Sequence, residues 1–329
     1  MHEIELSGCP LQPGTPLKVS TKAWGNWGIE WQNDTEFQEL VNKSEEAYDQ
    51  EWTSTSGKGL RDIARAAEMA GLGDANKRLN DAVGTEVGKI GLNAKENLCV
   101  VDLGAGSGDT TMAVLRSAPQ LKENGRFCLV DPAKSSLQEA RSRLAKSGLI
   151  GEKNLEVISG KDLDALQSLP AGSVDLVVAN AALHHHAFLN PVFQGIARIL
   201  RPGGWLVIGD WHCTMWLKPI GVLKLLDGVE WPGKAKQLAA LRDRFRTSDS
   251  GILSSSPELA IADQQIGKFW LSYAQVKDPS NPPFLMLEGH RPAGEYVSEL
   301  AECGIRVRRG PIRLLPGSEL LSVLVAQKE

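Results

Sequence analysis

The sequence predicts an α/β protein. Its expected form is a doubly wound, mostly parallel seven-stranded sheet with a C-terminal antiparallel hairpin, an N-terminal helical cover and a helical insertion after the fifth strand. Three observations carry this reading. Between about residues 97 and 210, short β-rich runs alternate with segments of helical period. The first run ends in a glycine-rich turn, and Asp or Asn closes the second, fourth and fifth. Beyond residue 293, a helical stretch precedes two further β-rich runs separated by Pro316-Gly317, as in a hairpin.

The five parallel runs are Leu98-Cys-Val-Val-Asp102, Arg126-Phe-Cys-Leu-Val-Asp131, Leu155-Glu-Val-Ile158, Val174-Asp-Leu-Val-Val-Ala-Asn180 and Trp205-Leu-Val-Ile-Gly-Asp210. Runs this short and this apolar suit strands covered on both faces. Between the second and third, Ser135 with Gln138 predicts a capping box, Leu137 and Leu144 share a face, and Gly148 is a C-cap. Asn190-Pro191 predicts an N-cap followed by a first-turn proline. Phe193, Ile196 and Leu200 then recur at helical spacing, and Arg201-Pro-Gly-Gly204 ends that helix before the fifth strand.

Four segments follow. Residues 1–95 form the cover, with one helix started by Thr35 and Gln38 (Phe37, Leu40, Val41 and Tyr48 on one face) and another over Leu60 to Ala70. Residues 96–210 are the Rossmann-like core. Residues 211–292 are a helical insertion, with helices marked by Leu238, Leu241 and Phe245 and by Ile261, Ile266, Phe269 and Trp270. It lies where open α/β sheets bind ligands and serves as a substrate lid. Residues 293–329 hold a helix closed by Gly304, then strands over Ile305 to Leu315 and Glu319 to Ala326 that complete the sheet.

The chain of 329 residues carries a net charge of −4, which disfavours nucleic acid as the main partner. The cluster Arg306, Arg308, Arg309 and Arg313 reads as a solvated sheet face. No apolar run approaches the roughly 20 residues of a membrane span. The first ten residues, with Glu3 and Glu5, lack the pattern of a secretory signal. Five scattered cysteines without metal-ligand spacing fit a reducing cytoplasm.

The chemistry concentrates in Val101-Asp-Leu-Gly-Ala-Gly-Ser-Gly-Asp109. Glycines at 104, 106 and 108 let the backbone turn sharply and approach a ligand. A dinucleotide fingerprint would place Gly or Ala at 109, where this chain has Asp109, and Asp102 would repel a pyrophosphate. A ligand with a cationic amino acid group would instead welcome that carboxylate, which makes a nicotinamide oxidoreductase a distant alternative.

In these features residues 97–210 resemble the class I S-adenosylmethionine-dependent methyltransferases, whose first motif is acid-x-Gly-x-Gly-x-Gly after the first strand. The resemblance implies that S-adenosyl-L-methionine is the cofactor. It implies that Asp102, Gly104, Ala105, Gly106 and Gly108 shape its cradle and that Asp131, followed by Pro132, binds the ribose hydroxyls. Asp162, in Ser159-Gly-Lys-Asp162, matches the group that meets the adenine amine, although Lys161 separates Gly160 from Asp162 where many relatives join Gly to Asp. Asn180 ends strand four beside the same pocket. Asp131 and Asn180 have plainer readings too, as a cap or turn-amide acceptor and as a left-handed turn residue.

His184-His-His186 follows strand four, beside the expected methyl group. Three consecutive side chains cannot converge on one point, so no metal site is expected. His184, His185 and, past strand five, His212 are candidate general bases, set against the plainer role of residues bonded to backbone. Trp24, Trp27, Trp31 and Trp52 lie in the cover, and Trp211, Trp216, Trp231 and Trp270 in the insertion. Packing is the plain reading for them, and an apolar acceptor pocket using Trp27, Trp31, Trp211 and Trp216 is the functional one.

Together these point to methyl transfer by direct displacement onto a small, aromatic or apolar molecule. The alternatives are a nucleic-acid or protein methyltransferase and a non-catalytic S-adenosylmethionine-binding regulator. Asn180 is followed by Ala181-Ala182 and not by the Asn-Pro-Pro-aromatic turn of many amino-methylating relatives. The acceptor, the atom methylated and the oligomeric state are not written in the sequence.

Overall fold

A computed structural model describes residues 58–92, 97–186, 189–213, 256–276 and 290–329. The expected helix over Thr35 to Tyr48, that over Leu238 to Phe245, and Trp24, Trp27, Trp31, Trp52, Trp216 and Trp231 lie outside the described residues.

Among the described residues, two helices, α1 (Lys58–Met69) and α2 (Ala75–Lys89), precede the sheet. The core then runs β1 (Leu98–Leu103), α3 (Asp109–Ser117), α4 (Gln120–Asn124), β2 (Gly125–Asp131), α5 (Lys134–Ser147), β3 (Leu155–Ser159), α6 (Asp162–Ser168), β4 (Val174–Asn180), α7 (Leu189–Ile199) and β5 (Leu200–Trp211). Helices α8 (Pro257–Val276) and α9 (Ala293–Glu302) lead to β6 (Ile305–Leu315) and β7 (Ser318–Lys328). The strand order is β3-β2-β1-β4-β5-β7-β6, with β1 to β5 parallel and β7 antiparallel to both its neighbours. The seven-stranded sheet and its edge hairpin are as the sequence predicts. The chain moves outward from β1 to β3 and returns to place β4 beside β1, so a topological switch point lies at the C-terminal ends of β1 and β4.

Alternation at period two divides the sheet between two cores. Val100, Leu129, Leu176, Val178, Val207 and Val325 pack one face with residues of α2, α3 and α5. Val101, Val130, Val177, Ala179, Ile208 and Leu324 pack the other with α7 and α9. A third cluster joins α1 to α8 around Ala66, Ala262, Ile266 and Tyr273. Helix α1 of the cover therefore packs against α8 of the insertion.

Several local expectations are corrected. Helix α5 starts at Lys134 with Ala133 as its N-cap, so Ser135 caps nothing; Oδ1 of Asp131 instead accepts the Ala133 N–H at 2.8 Å. Gly148 does close α5 in the left-handed region, at φ 65°. Helix α7 already includes Leu189 and Asn190, which places Pro191 in its first turn, where a missing N–H is harmless. Residues 201–204 do not separate helix from strand. Leu200 pairs with Val174 and Trp205 with Leu176, so the four residues bulge out of β5 opposite Asp175, whose carboxylate takes Nε of Arg201 at 2.5 Å.

Helix α2 was not expected. Its glycines dilute the helical pattern, yet a Cβ at Gly84 or Gly88 would stand 2.7 Å from the carbonyl oxygen of Ala113 or Ser117. The glycines let α2 lie close against α3. Its start is marked in sequence all the same: the Asp74 carboxylate accepts the Lys77 N–H at 2.9 Å.

Candidate active site

The glycine turn leaves β1 at the switch point. Gly104, Gly106 and Gly108 have φ of 71°, 50° and 83°, a region that side chains resist. A Cβ at Gly104 would stand 2.4 Å from Cβ of Ala182, whereas one at Gly106 would meet nothing within 4 Å. Close packing thus explains Gly104, and an open space beside the backbone explains Gly106. Ala105 between them is buried. Arg143, from α5, braces the turn by donating to the Ser107 carbonyl at 2.9 Å and to Asp109 at 2.6 Å.

Two carboxylates support this turn from below. Asp102 accepts the Thr111 hydroxyl, its Oδ1 has no partner among the described residues, and burial pushes its pKa up to about 7. It lies under the turn and not on its surface. Asp131, 2% exposed, accepts the Gly106 N–H at 2.8 Å through Oδ2, as well as the Ala133 N–H. The turn-amide reading of Asp131 is therefore realised, while Pro132 beside it is exposed.

Asn180 ends β4 and donates through Nδ2 to Oδ1 of Asn80 at 2.8 Å and to the Thr110 hydroxyl at 3.2 Å. The left-handed residue is its neighbour Ala181, at φ 51°, so Asn180 is held as a hydrogen-bonding group and not as a turn former. At the next strand end, Asp162 is buried and opens α6. Its Oδ2 lies 2.7 Å from Nε2 of His186, and Lys161 before it is exposed.

The three histidines take three different roles. His184 is buried in a short 3-10 turn, and its Nδ1 lies 2.6 Å from Oδ1 of Asp210. Its backbone N–H donates to Oδ2 of Asp210 at 3.1 Å, and the Tyr296 hydroxyl donates to the same oxygen at 3.0 Å. The Asp210 pKa reflects a contest. Burial would raise it, but the His184 charge and hydrogen bond, His212 and the Trp211 N–H together hold it well below the usual carboxylate range. The His184 ring stacks on His290, with centroids 4.8 Å apart, and tilts against His185 at 4.1 Å. His186 faces Asp162.

His212 is fully buried, with Nδ1 3.1 Å from the Arg291 carbonyl oxygen. Burial lowers its pKa to about 4, against the opposing pull of Asp210. It is poorly placed to accept a proton. Trp211 packs inside the third cluster, its ring centroid 5.3 Å from that of Phe269, which is the packing role. Among the described residues no group of three or more His, Cys, Asp or Glu is placed to hold a metal ion, and no helix is long and apolar enough to cross a membrane.

Asp210, Tyr296, Asn80 and Arg143 are the site residues the sequence did not single out. Asp210 carried a signal, as an acid at the C-terminal end of a strand. The other three carried none, because each reaches the site from a helix whose docking only the fold determines.

Whether these residues suit S-adenosylmethionine can be judged from the chain itself. The open space at Gly106 and the buried, unpartnered Oδ1 of Asp162 are what an adenosyl ligand with an amino acid tail would use. Residues 94–247 match the family model for the methyltransferase domain. The chain is 29% identical over 187 residues to an uncharacterized methyltransferase of Emericella nidulans, covering 54% of this chain and 61% of that protein. It is 30% identical over 109 residues to a ubiquinone/menaquinone biosynthesis C-methyltransferase of Hydrogenovibrio crunogenus, covering 33% and 40%. It is 34% identical over 119 residues to a ribosomal RNA large subunit methyltransferase G of Streptomyces coelicolor, covering 34% and 29%. Less than two thirds of each relative's length is matched. The methyltransferase-domain match over residues 94–247 and these partial likenesses support a class I S-adenosylmethionine-dependent methyltransferase.

Proposed function

We propose that the protein methylates a small molecule bearing a dissociable proton, with His184 as the proton acceptor. The observation that carries this reading is the hydrogen bond between Nδ1 of His184 and Asp210. It makes Nδ1 the protonated nitrogen of the neutral ring and Nε2 the basic one. Bound S-adenosylmethionine supplies an electrophilic methyl group on a sulfonium sulfur. The chain's part is to hold that ligand with Gly104, Gly106, Asp131 and Asp162, to align the acceptor, and to draw its proton to Nε2 as the new bond forms. Alignment of this kind contributes several kcal/mol to such a displacement.

Cys99, Cys128 and Cys303 are free thiols, in keeping with work in the cytoplasm. A net charge of −4 supports a small acceptor over RNA. The likeness to a ribosomal RNA methyltransferase favours RNA as the second reading. Both are tested by incubating the protein with methyl-labelled S-adenosylmethionine and a cell extract, then separating small molecules, protein and RNA. Label in the small-molecule fraction is expected. Label confined to RNA establishes the second reading, and binding without any transfer establishes a non-catalytic binding protein.

A further inference from the structure

His186 and Asp162 lie in the segments that follow β4 and β3, the two strands that flank β2 and β1 in the sheet. The Gly160 N–H donates to the Asp131 carbonyl at 3.2 Å, and Asp131 is in register with Ser159, so the segment carrying Asp162 is tied to the end of β2. Asp162 is only 8% exposed. Its Oδ2 is engaged by Nε2 of His186 at 2.7 Å, while Oδ1 is buried with no partner among the described residues. A buried acceptor left unmade is unfavourable by about 1–3 kcal/mol, so a ligand that offers a donor there gains what water cannot supply.

Resting on the S-adenosylmethionine reading, we propose that His186 is a positioning residue for adenine recognition. By taking Oδ2 it fixes the rotation of the Asp162 carboxylate and reserves Oδ1 for an exocyclic amine. A purine with a carbonyl in that place would set two acceptors against each other. Discrimination between amine and carbonyl therefore depends on His186, although His186 itself does not touch the base. Without it the carboxylate turns, finds water and accepts either purine. If the pair only tied the turn after β4 to α6, its loss would change stability and leave the preference untouched.

The test is calorimetry with S-adenosylhomocysteine and S-inosylhomocysteine. The unaltered protein should bind the adenine compound at least about tenfold more tightly, a modest share of what a dedicated hydrogen-bonding site can achieve. His186→Phe keeps a ring but removes the donor, and His186→Ala removes both. Each should shrink the preference to about threefold or less, a loss that amounts to an unpaired hydrogen bond. His186→Gln, which restores an N–H donor, should recover it, and Asp162→Asn should lose it. Full preference in either His186→Phe or His186→Ala overturns the proposal, as does a parent protein that binds both compounds equally. A parent that binds neither compound refutes the cofactor reading instead.

Discussion

Nδ1 of His184 and Oδ1 of Asp210 stand 2.6 Å apart, and the second oxygen of the same carboxylate takes both the backbone N–H of His184 and the Tyr296 hydroxyl. One fully buried acid thus fixes the ring, the turn that carries it, and the helix α9 behind it. The predictions below begin from this arrangement.

Asp210→Asn should lower the rate of methyl transfer by about 100-fold, the usual contribution of a positioned acid or base. The amide can offer its N–H to Nδ1 and favour the wrong tautomer. Affinity for S-adenosylhomocysteine should stay within about twofold, since the glycine turn is not involved. Transfer to the acceptor identified from extract, with calorimetry alongside, checks both. An unchanged rate would remove His184 from the chemistry.

Tyr296→Phe removes one hydroxyl and leaves the ring against Phe193 and His212. Stability should fall by about 1 kcal/mol, the net value of one buried hydrogen bond. The rate should fall only about fivefold, because Asp210 keeps its bonds to His184. Chemical denaturation and steady-state kinetics measure the two effects.

Gly104→Ala and Gly106→Ala should separate folding from binding. At Gly104 the new Cβ collides with Ala182, so about 3 kcal/mol of stability should be lost. At Gly106 the new Cβ meets no protein atom, so only left-handed strain of about 1–2 kcal/mol applies. That variant should fold and bind S-adenosylhomocysteine at least about tenfold more weakly, because the methyl occupies the ligand's side of the turn. Thermal melts with calorimetry distinguish the outcomes; undiminished binding by Gly106→Ala would move the cofactor away from this loop.

Asp102→Asn should become more favourable as pH rises. The folded pKa of Asp102 is raised to about 7 from the ordinary carboxylate range, chiefly by burial. Between the unfolded and folded values the native state binds a proton that the unfolded chain has released, so stability falls as pH rises, by at most about 1.4 kcal/mol per pH unit. The asparagine carries no such penalty and still accepts from Thr111. Its advantage over the parent should grow by about 1–3 kcal/mol from pH 5 to pH 8, as read by denaturation at each pH. A flat difference would show that Asp102 is ionised throughout.

The sequence alone determined the sheet, the glycine turn, the C-terminal hairpin, Asp102, Asp131 and Asn180 as polar groups near strand ends, and Asp162 as an acid after strand three. Such features are local: a buried parallel strand needs an unbroken apolar run, and a sharp turn with left-handed residues needs glycine. Only the tertiary structure decided which histidine meets which acid. His184, His185 and His186 are neighbours in sequence, yet one faces Asp210, 26 residues away, and another faces Asp162, 24 residues away. His212 looked equivalent to His184 as a base, but burial lowers its pKa to about 4. Asn80 meets Asn180 across 100 residues because Gly84 and Gly88 let α2 settle on α3. A residue's type and local period are written in the chain. Its partners and its solvation belong to surfaces that exist only once the sheet has closed.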